Sequence, residues 1–280
     1  MQQKISIFIV ILLVTAGGAA CSRLGRSRLP VMQLDVEIVA PPANREAATK
    51  ETIEIIESRL NAVGVTADVK SQGVPSDGRI VVNLWKVPDV ERVKKIISES
   101  GKLELAHVVS NASPAPCQSY PTKEAAIAST NKGGNIPADR RVLPFPQRPE
   151  IVSAGSETPV PNKWLIVESP AIIDGTELRT ASAIPSSIGI SDDYQIAFSL
   201  KKTGAEKLGS WTAANINQYI AVVLNDEVRS VAFIRSQIFD TGEISGRFTK
   251  QSAEDLAIVL KSGSLPFPVR IVGQSFIQQK

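Results

Sequence analysis

Histidine and cysteine are nearly absent: the 280-residue chain holds one histidine, His107, and two cysteines, Cys21 and Cys117. Neither cysteine stands at metal-ligand spacing from other ligands, so no metal site is implied. No G-x-S-x-G elbow, H-E-x-x-H pair, Walker loop or G-x-G-x-x-G run occurs, and with them go the serine hydrolases, zincins, P-loop enzymes and dinucleotide-binding folds. Gly242-Glu243-Ile244-Ser245-Gly246 looks like a serine motif but lacks its spacing. His107 lies in the strand-like run LELAHVV and reads as a packing or surface residue, while Glu91 with Lys95 reads as a solvated helix-surface ion pair. The expectation is a non-enzyme with no catalytic residue, no metal and no cofactor. An excess of one charge is missing too: 31 Lys and Arg against 28 Asp and Glu leave a net charge of +3. The two signs are interleaved, which leaves no nucleic-acid footprint. After Leu24 no apolar run is long enough to cross a bilayer.

Before Leu24 the chain is different. Lys4 precedes an apolar run over 5–13, the small residues Ala16, Gly17, Gly18, Ala19 and Ala20 follow, and then comes Cys21. That is the layout of a secretory signal over 1–21, and small residues before a cysteine make Cys21 a candidate lipidation site. Gly18 departs from the larger aliphatic residue usual at that place. Two other readings stand beside it: cleavage after Ala20, and an uncleaved anchor. Arg23, Arg26 and Arg28 weigh against the anchor, because they would lie on the exported side. Cys21 could pair with Cys117 if the signal is retained or cut before Cys21, and acylation would leave Cys117 unpaired.

Periodicity then predicts an α+β fold. A strand is expected over 31–39, a helix over 49–63 with Ile53, Ile56, Leu60 and Val63 inward, strands over 65–70 and 79–85, a helix capped by Asp89, and a strand over 102–109. This β-α-β-β-α-β order over 30–110 reads as a ferredoxin-like sandwich, with the strand over 102–109 as its fourth. Residues 111–162 are rich in proline and read as a long loop or linker, apart from a short helix over 123–130. A second α+β unit spans 163–262, with strands over 164–168, 194–200, 220–224, 228–234 and 244–248. Thr203 and Glu206 form a candidate capping box. Its last helix begins at Thr249 or Ser252, buries Ala253, Leu256 and Leu260, and stops at Gly263 before Pro266.

The wording of that last segment carries a resemblance. Phe248-Thr249, Leu256-Ala257, Leu260-Lys261-Ser262-Gly263 and Leu265-Pro266 resemble the close of the first periplasmic domain of SecD, a subunit of the bacterial protein-export machinery. Arg59, Asn61, Gly64 and Val65 in the run over 52–65, the strand over 79–84, and Gly101-Lys102-Leu103-Glu104-Leu105 are similar to the same domain in the same order. Together these matches span most of 45–110 and 163–272. The resemblance implies a ferredoxin-like base carrying an inserted α+β head, with residues 263–273 returning to the base as an added strand. It implies a protein on the periplasmic side of the membrane, attached through its N-terminus, that binds unfolded exported polypeptide beside Sec translocon components. SecD continues into membrane helices linked to proton flow, so the expectation here is the periplasmic part without that motor. Head and base are expected to swing about two Gly- and Pro-rich crossings, one with Asn111, Pro114 and Pro116, the other with Gly263 and Pro266. No residue is assigned to polypeptide binding. The alternative function is an envelope scaffold lipoprotein that reuses the fold to hold one partner.

The lipidation reading has a direct outcome. Mass spectrometry of the mature protein should find an acylated N-terminal Cys21, and Cys21→Ser should leave the membrane fraction or fail to mature; an unmodified Cys21 or a retained Met1 refutes it.

Overall fold

A computed structural model describes residues 32–110, 117–130, 135–146, 151–152, 156–157, 162–186 and 193–276. Cys21 and the signal region, and Asn111, Pro114 and Pro116 of the expected hinge, lie outside the described residues. The first unit runs β1 (Met32–Ile38), α1 (Arg45–Ala62), β2 (Thr66–Ser71), β3 (Arg79–Trp85) and α2 (Val90–Ser98). The chain continues through β4 (Leu103–Val108), α3 (Lys123–Thr130), β5 (Arg140–Phe145), β6 (Ile151–Val152), β7 (Ser156–Glu157) and β8 (Lys163–Glu168). Then come β9 (Ile173–Asp174), β10 (Leu178–Pro185), β11 (Tyr194–Leu200), α4 (Lys202–Ala214), β12 (Tyr219–Leu224), β13 (Glu227–Phe233), β14 (Thr241–Phe248), α5 (Lys250–Lys261) and β15 (Val269–Phe276). The class is α+β, as expected.

Alternation builds the first sheet. Met32, Leu34, Val36 and Ile38 of β1 are all buried against half-buried Gln33, Asp35 and Glu37. The sheet order is β15-β1-β3-β2, antiparallel throughout. Ile56 and Leu60 of α1 and Val93 and Ile97 of α2 complete one apolar core. Asp89 caps α2 by accepting from the Arg92 amide at 2.9 Å. On α1 the inward stripe is turned from the one expected: Ile53 and Val63 are only half-buried, and Thr52, Ile55 and Arg59 take the inner places. The buried Thr49 hydroxyl is satisfied by the Arg45 and Pro75 carbonyls.

The fourth strand of that sheet is not β4. Its place beside β1 is filled by β15, with Met32 opposite Phe276 and Ile38 opposite Val269. β4 pairs instead with β12, Leu103 opposite Leu224 and Val108 opposite Tyr219. The physical reason lies in its side chains: five of the six residues of β4 are buried, which suits a strand covered on both faces within a larger sheet. Gly101 turns the chain away from the first sheet at φ +72°. Asn225 then docks β4, accepting from the Lys102 amide at 3.0 Å and donating its own amide to the Lys102 carbonyl at 2.9 Å. Asn225 and Asp226 form the β12–β13 turn with φ of 52° and 59°, a pairing suited to tight hairpins.

The larger sheet has the order β13-β12-β4-β8-β5, with β9 added on β4, and a separate sheet has the order β10-β11-β14. Helix α5 lies against the three-stranded sheet, where Leu256 and Leu260 join Leu103, Ile196 and Phe198 in a second core. Three readings are corrected here. Part of the proline-rich stretch is a strand: β5 pairs with β8 from Arg140 opposite Glu168 to Phe145 opposite Lys163. Pro144 is tolerated because β5 ends the sheet. The spacing gives no sign of β10, since only Leu178 and the small Ala181 are buried and no apolar alternation announces it. The capping box does not form, because the Thr203 hydroxyl donates to the Glu177 carboxylate and the N-cap of α4 is Lys201. The short helix over 123–130 forms where expected. Gly242 and Gly246 sit in β14, and a side chain at Gly242 would come within 2.5 Å of the Phe198 ring; they are packing glycines.

Gly101 and Gly64 share φ of +72°, yet a Cβ at Gly101 would lie 2.7 Å from a Val259 methyl while one at Gly64 meets nothing within 4 Å. Gly64→Ala should therefore cost about 1 kcal/mol and Gly101→Ala about 1–3 kcal/mol more, measured by urea unfolding. Equal losses would mean that Val259 yields freely.

Candidate functional site at the junction of the two cores

The chain leaves the first core at 99–102 and re-enters it at 262–268, and both crossings meet one side chain. Arg59 is fully buried. Its Nη1 donates to the carbonyls of Ile96 at 2.9 Å and Glu99 at 2.5 Å, and its Nη2 to those of Ser100 at 3.3 Å and Gly263 at 2.9 Å. Ile96 lies in the last turn of α2, so the guanidinium also faces the negative end of that helix. Burial pulls its pKa down to about 10, and the nearby Glu99 carboxylate works in the opposite direction. It stays charged at neutral pH. Beside it the Leu265 amide donates to the Ser100 carbonyl at 2.9 Å, which ties the two crossings to each other, and the Leu265 side chain enters the first core.

Further contacts ring this point. Arg92 of α2 holds Asp255 of α5 through Nε at 3.0 Å and Nη2 at 2.7 Å, which raises the Arg92 pKa through the hydrogen bond to Asp255. The Asn225 side-chain amide donates to the Glu99 carboxylate, and Ser58 donates to Ser262 at 3.3 Å. Two open clefts flank the junction. One of about 310 Å³ lies between Glu51, Glu54 and Ile55 of α1 and Gly175 and Thr176; the other, about 390 Å³, lies between Ala62, Val63 and Arg92 and the Ala181, Ala183 and Ala257 side of the second core. The two cores therefore touch through a polar centre with open margins.

Of the expected hinge residues, Gly263 and Pro266 lie in the returning crossing, with Gly263 at φ +91°. The outward crossing precedes β4 and so falls at 99–102, ahead of Asn111, Pro114 and Pro116, because β4 already belongs to the larger sheet. Arg59, Arg92, Asp255 and Asn225 were not singled out for these roles. Only Arg59 left a signal, as a cation on the inner stripe of α1 between Ile56 and Leu60. His107 Nδ1 lies 3.0 Å from Glu168, with its ring 5.2 Å from Trp211. Among the described residues Cys117 is a free thiol whose pKa burial pushes up, against a hydrogen bond with Ser110; that makes it a poor nucleophile. Glu91 pairs with Lys94 at 2.8 Å, not with Lys95. Among the described residues no group of three His, Cys, Asp or Glu could hold a metal ion, and no helix is long and apolar enough to cross a membrane.

Comparison with known proteins places this architecture. Residues 49–110 match the family described as protein translocase subunit SecDF, P1 domain, N-terminal, and residues 150–267 match that described as SecDF, P1 head subdomain. The protein translocase subunit SecD of Aquifex aeolicus is 35% identical over 84% of this chain, and that of Elusimicrobium minutum 29% identical over 86%. The chain belongs to the SecD family. It spans 40% and 49% of the lengths of those two SecD relatives. A crystal structure of SecDF in a super-membrane-facing form superposes at a TM-score of 0.61, with 23% identity over 88% of this chain and 31% of that one. A second SecDF structure, described as a membrane component that enhances protein export, gives 0.58 with 22% identity over 89% of this chain and all of that one. These superpositions share the SecD fold.

Arg59→Met should lower stability by about 3 kcal/mol or more, because it takes the guanidinium donors from four carbonyl oxygens at once, of which the Ser100 one keeps the Leu265 amide. Urea denaturation checks it, and a loss below about 1 kcal/mol would mean that the crossings hold without the guanidinium.

Proposed function

We propose that this SecD-family chain assists protein export on the periplasmic side of a bacterial membrane by binding polypeptide as it emerges from the translocon. The observation that carries the reading is the joint match of its two parts to the two P1 families, in relatives named protein translocase subunit SecD. In this reading its contribution is capture and movement, without catalysis or a cofactor. Its partners are unfolded exported chains and Sec translocon components, and its attachment to the membrane runs through the N-terminus, by acylated Cys21 or an uncleaved helix.

Exported chains differ in sequence, so a surface that holds them has to rely on backbone hydrogen bonds and shallow apolar contacts. Support comes from the sheet ends. Among the described residues β15, β2 and β10 are each bonded to a strand on one side only. β15 also exposes Val272 and Phe276, at 60% and 63% of their surface. The two cores move as two bodies about 99–102 and 262–268, the latter holding Gly263 and Pro266, with Arg59 as the pivot.

Photo-cross-linkers placed along β15 and β10 in cells carrying an arrested export substrate should capture that substrate and Sec components. Capture of a single envelope protein alone would instead establish the scaffold reading. A disulfide engineered between α2 and α5 should reduce capture or release without unfolding either core. Wild-type behaviour of the cross-linked form would sink the two-body motion.

A further inference from the structure

A cavity of about 130 Å³ lies where α2 meets α5 and the β12–β13 hairpin, lined by residues other than those of β15, β2 and β10. Its walls include Ile96, Leu224, Phe248, Leu256 and Val259. For scale, an engineered cavity of about 150 Å³ in another protein takes up benzene, so this one suits a body of about four to six carbons. Charge then selects the occupant. Both acidic groups at its wall are already engaged, Glu99 with Asn225 and Asp255 with Arg92. The cations keep donors to spare: Lys95 has no ion-pair partner among the described residues, because Glu91 turns to Lys94. Arg229 pairs through Nη1 with Glu227 at 2.9 Å and keeps a buried Nε with no hydrogen-bond partner.

We propose that this cavity binds a small apolar carboxylate, with a branched or phenyl body against the five apolar walls and the carboxylate on Lys95 and Arg229. Because α2 belongs to the first core and Leu224, Leu256 and Phe248 to the second, the bound acid bridges them. The same chemistry is offered by a free acid or by the C-terminal residue of a peptide ending in leucine.

Methyl-labelled NMR titration of the whole protein tests it, reading Ile96, Leu224, Leu256 and Val259. The probes are 4-methylpentanoate and phenylacetate, their neutral amides, and Gly-Gly-Leu with a free or an amidated C-terminus. The acids should shift these methyls and saturate, with the amides about tenfold weaker or more. Lys95→Glu, a change at an exposed helix position, should weaken acid binding by about tenfold and leave the amides as they were. Comparison of Gly-Gly-Leu with the free acids assigns the source, since either one binding by its carboxylate supports the site. Acid and amide binding alike, acid binding unchanged in Lys95→Glu, or no shift of these methyls at millimolar acid would each overturn it.

Discussion

A single buried guanidinium decides how the two cores are joined. Each crossing has to leave a packed helix or strand and exposes carbonyls with no partner in any ladder. Arg59 collects four of them from three places: the end of α2, the outgoing turn and the returning turn. Arginine suits the task because its planar fork carries several donors in fixed directions and keeps its charge when desolvated. A lysine has three donors on a flexible stem and loses its charge more readily on burial. Gly101 follows from the same geometry, since its turn presses the outgoing chain against Val259 and leaves Arg59 Nη2 3.2 Å from the place a Cβ would occupy.

Around that fixed point the junction is loosely held. The Arg92–Asp255 pair retains 31% and 15% of its side-chain exposure, so water screens part of its attraction and it contributes about 1 kcal/mol at most. The open clefts on either side remove apolar contacts that would otherwise resist rotation. Each core is apolar and continuous in itself, with Leu60 and Val82 in one and Ile196 and Leu256 in the other. A polar centre between two dry cores would let the proposed rotation proceed without exposing either core to water.

Local chemistry made much of this legible in the chain itself. The alternation of β1, the Asp89 and Thr249 caps, the span of β3 and the inward Ala253, Leu256 and Leu260 all follow from spacing along short segments. Long-range choices were not legible. LELAHV reads as a strand wherever it pairs, and nothing within it distinguishes a place beside β1 from one beside β12. β10 was silent because Ala181 needs only a small gap under α5, and β5 was hidden by Pro144, whose missing donor usually argues against a strand. At the junction the signal was weaker still. The buried place of Arg59 depends on carbonyls from residues far along the chain, so the helix pattern marks a cation beside Ile56 and Leu60 without saying what it holds, and the freeing of Lys95 depends on which neighbour Glu91 prefers.

The closing of the first sheet by β15 has a consequence for how the parts communicate. β1 is bonded between β3 and β15, and its partner β15 follows directly from the second unit through 262–268. Every displacement of α5 therefore acts on a strand that is hydrogen-bonded into the first sheet. The bulge between Asp35 and Val36 and the close approach of Gly273 to the Asp35 side chain, 2.5 Å from an added Cβ, lie in the middle of that pairing. Bulges bend a strand and relax its register locally. The half of β15 nearest the crossing, Val269 to Ile271 opposite Ile38 to Val36, thus stays locked to the buried face of β1. The far half, with exposed Phe276, is separated from it by the irregularity. In the proposed two-body motion, the near half and Arg59 together would resist displacement of the second unit, which would confine it to rotation about the junction and keep it out of the first core.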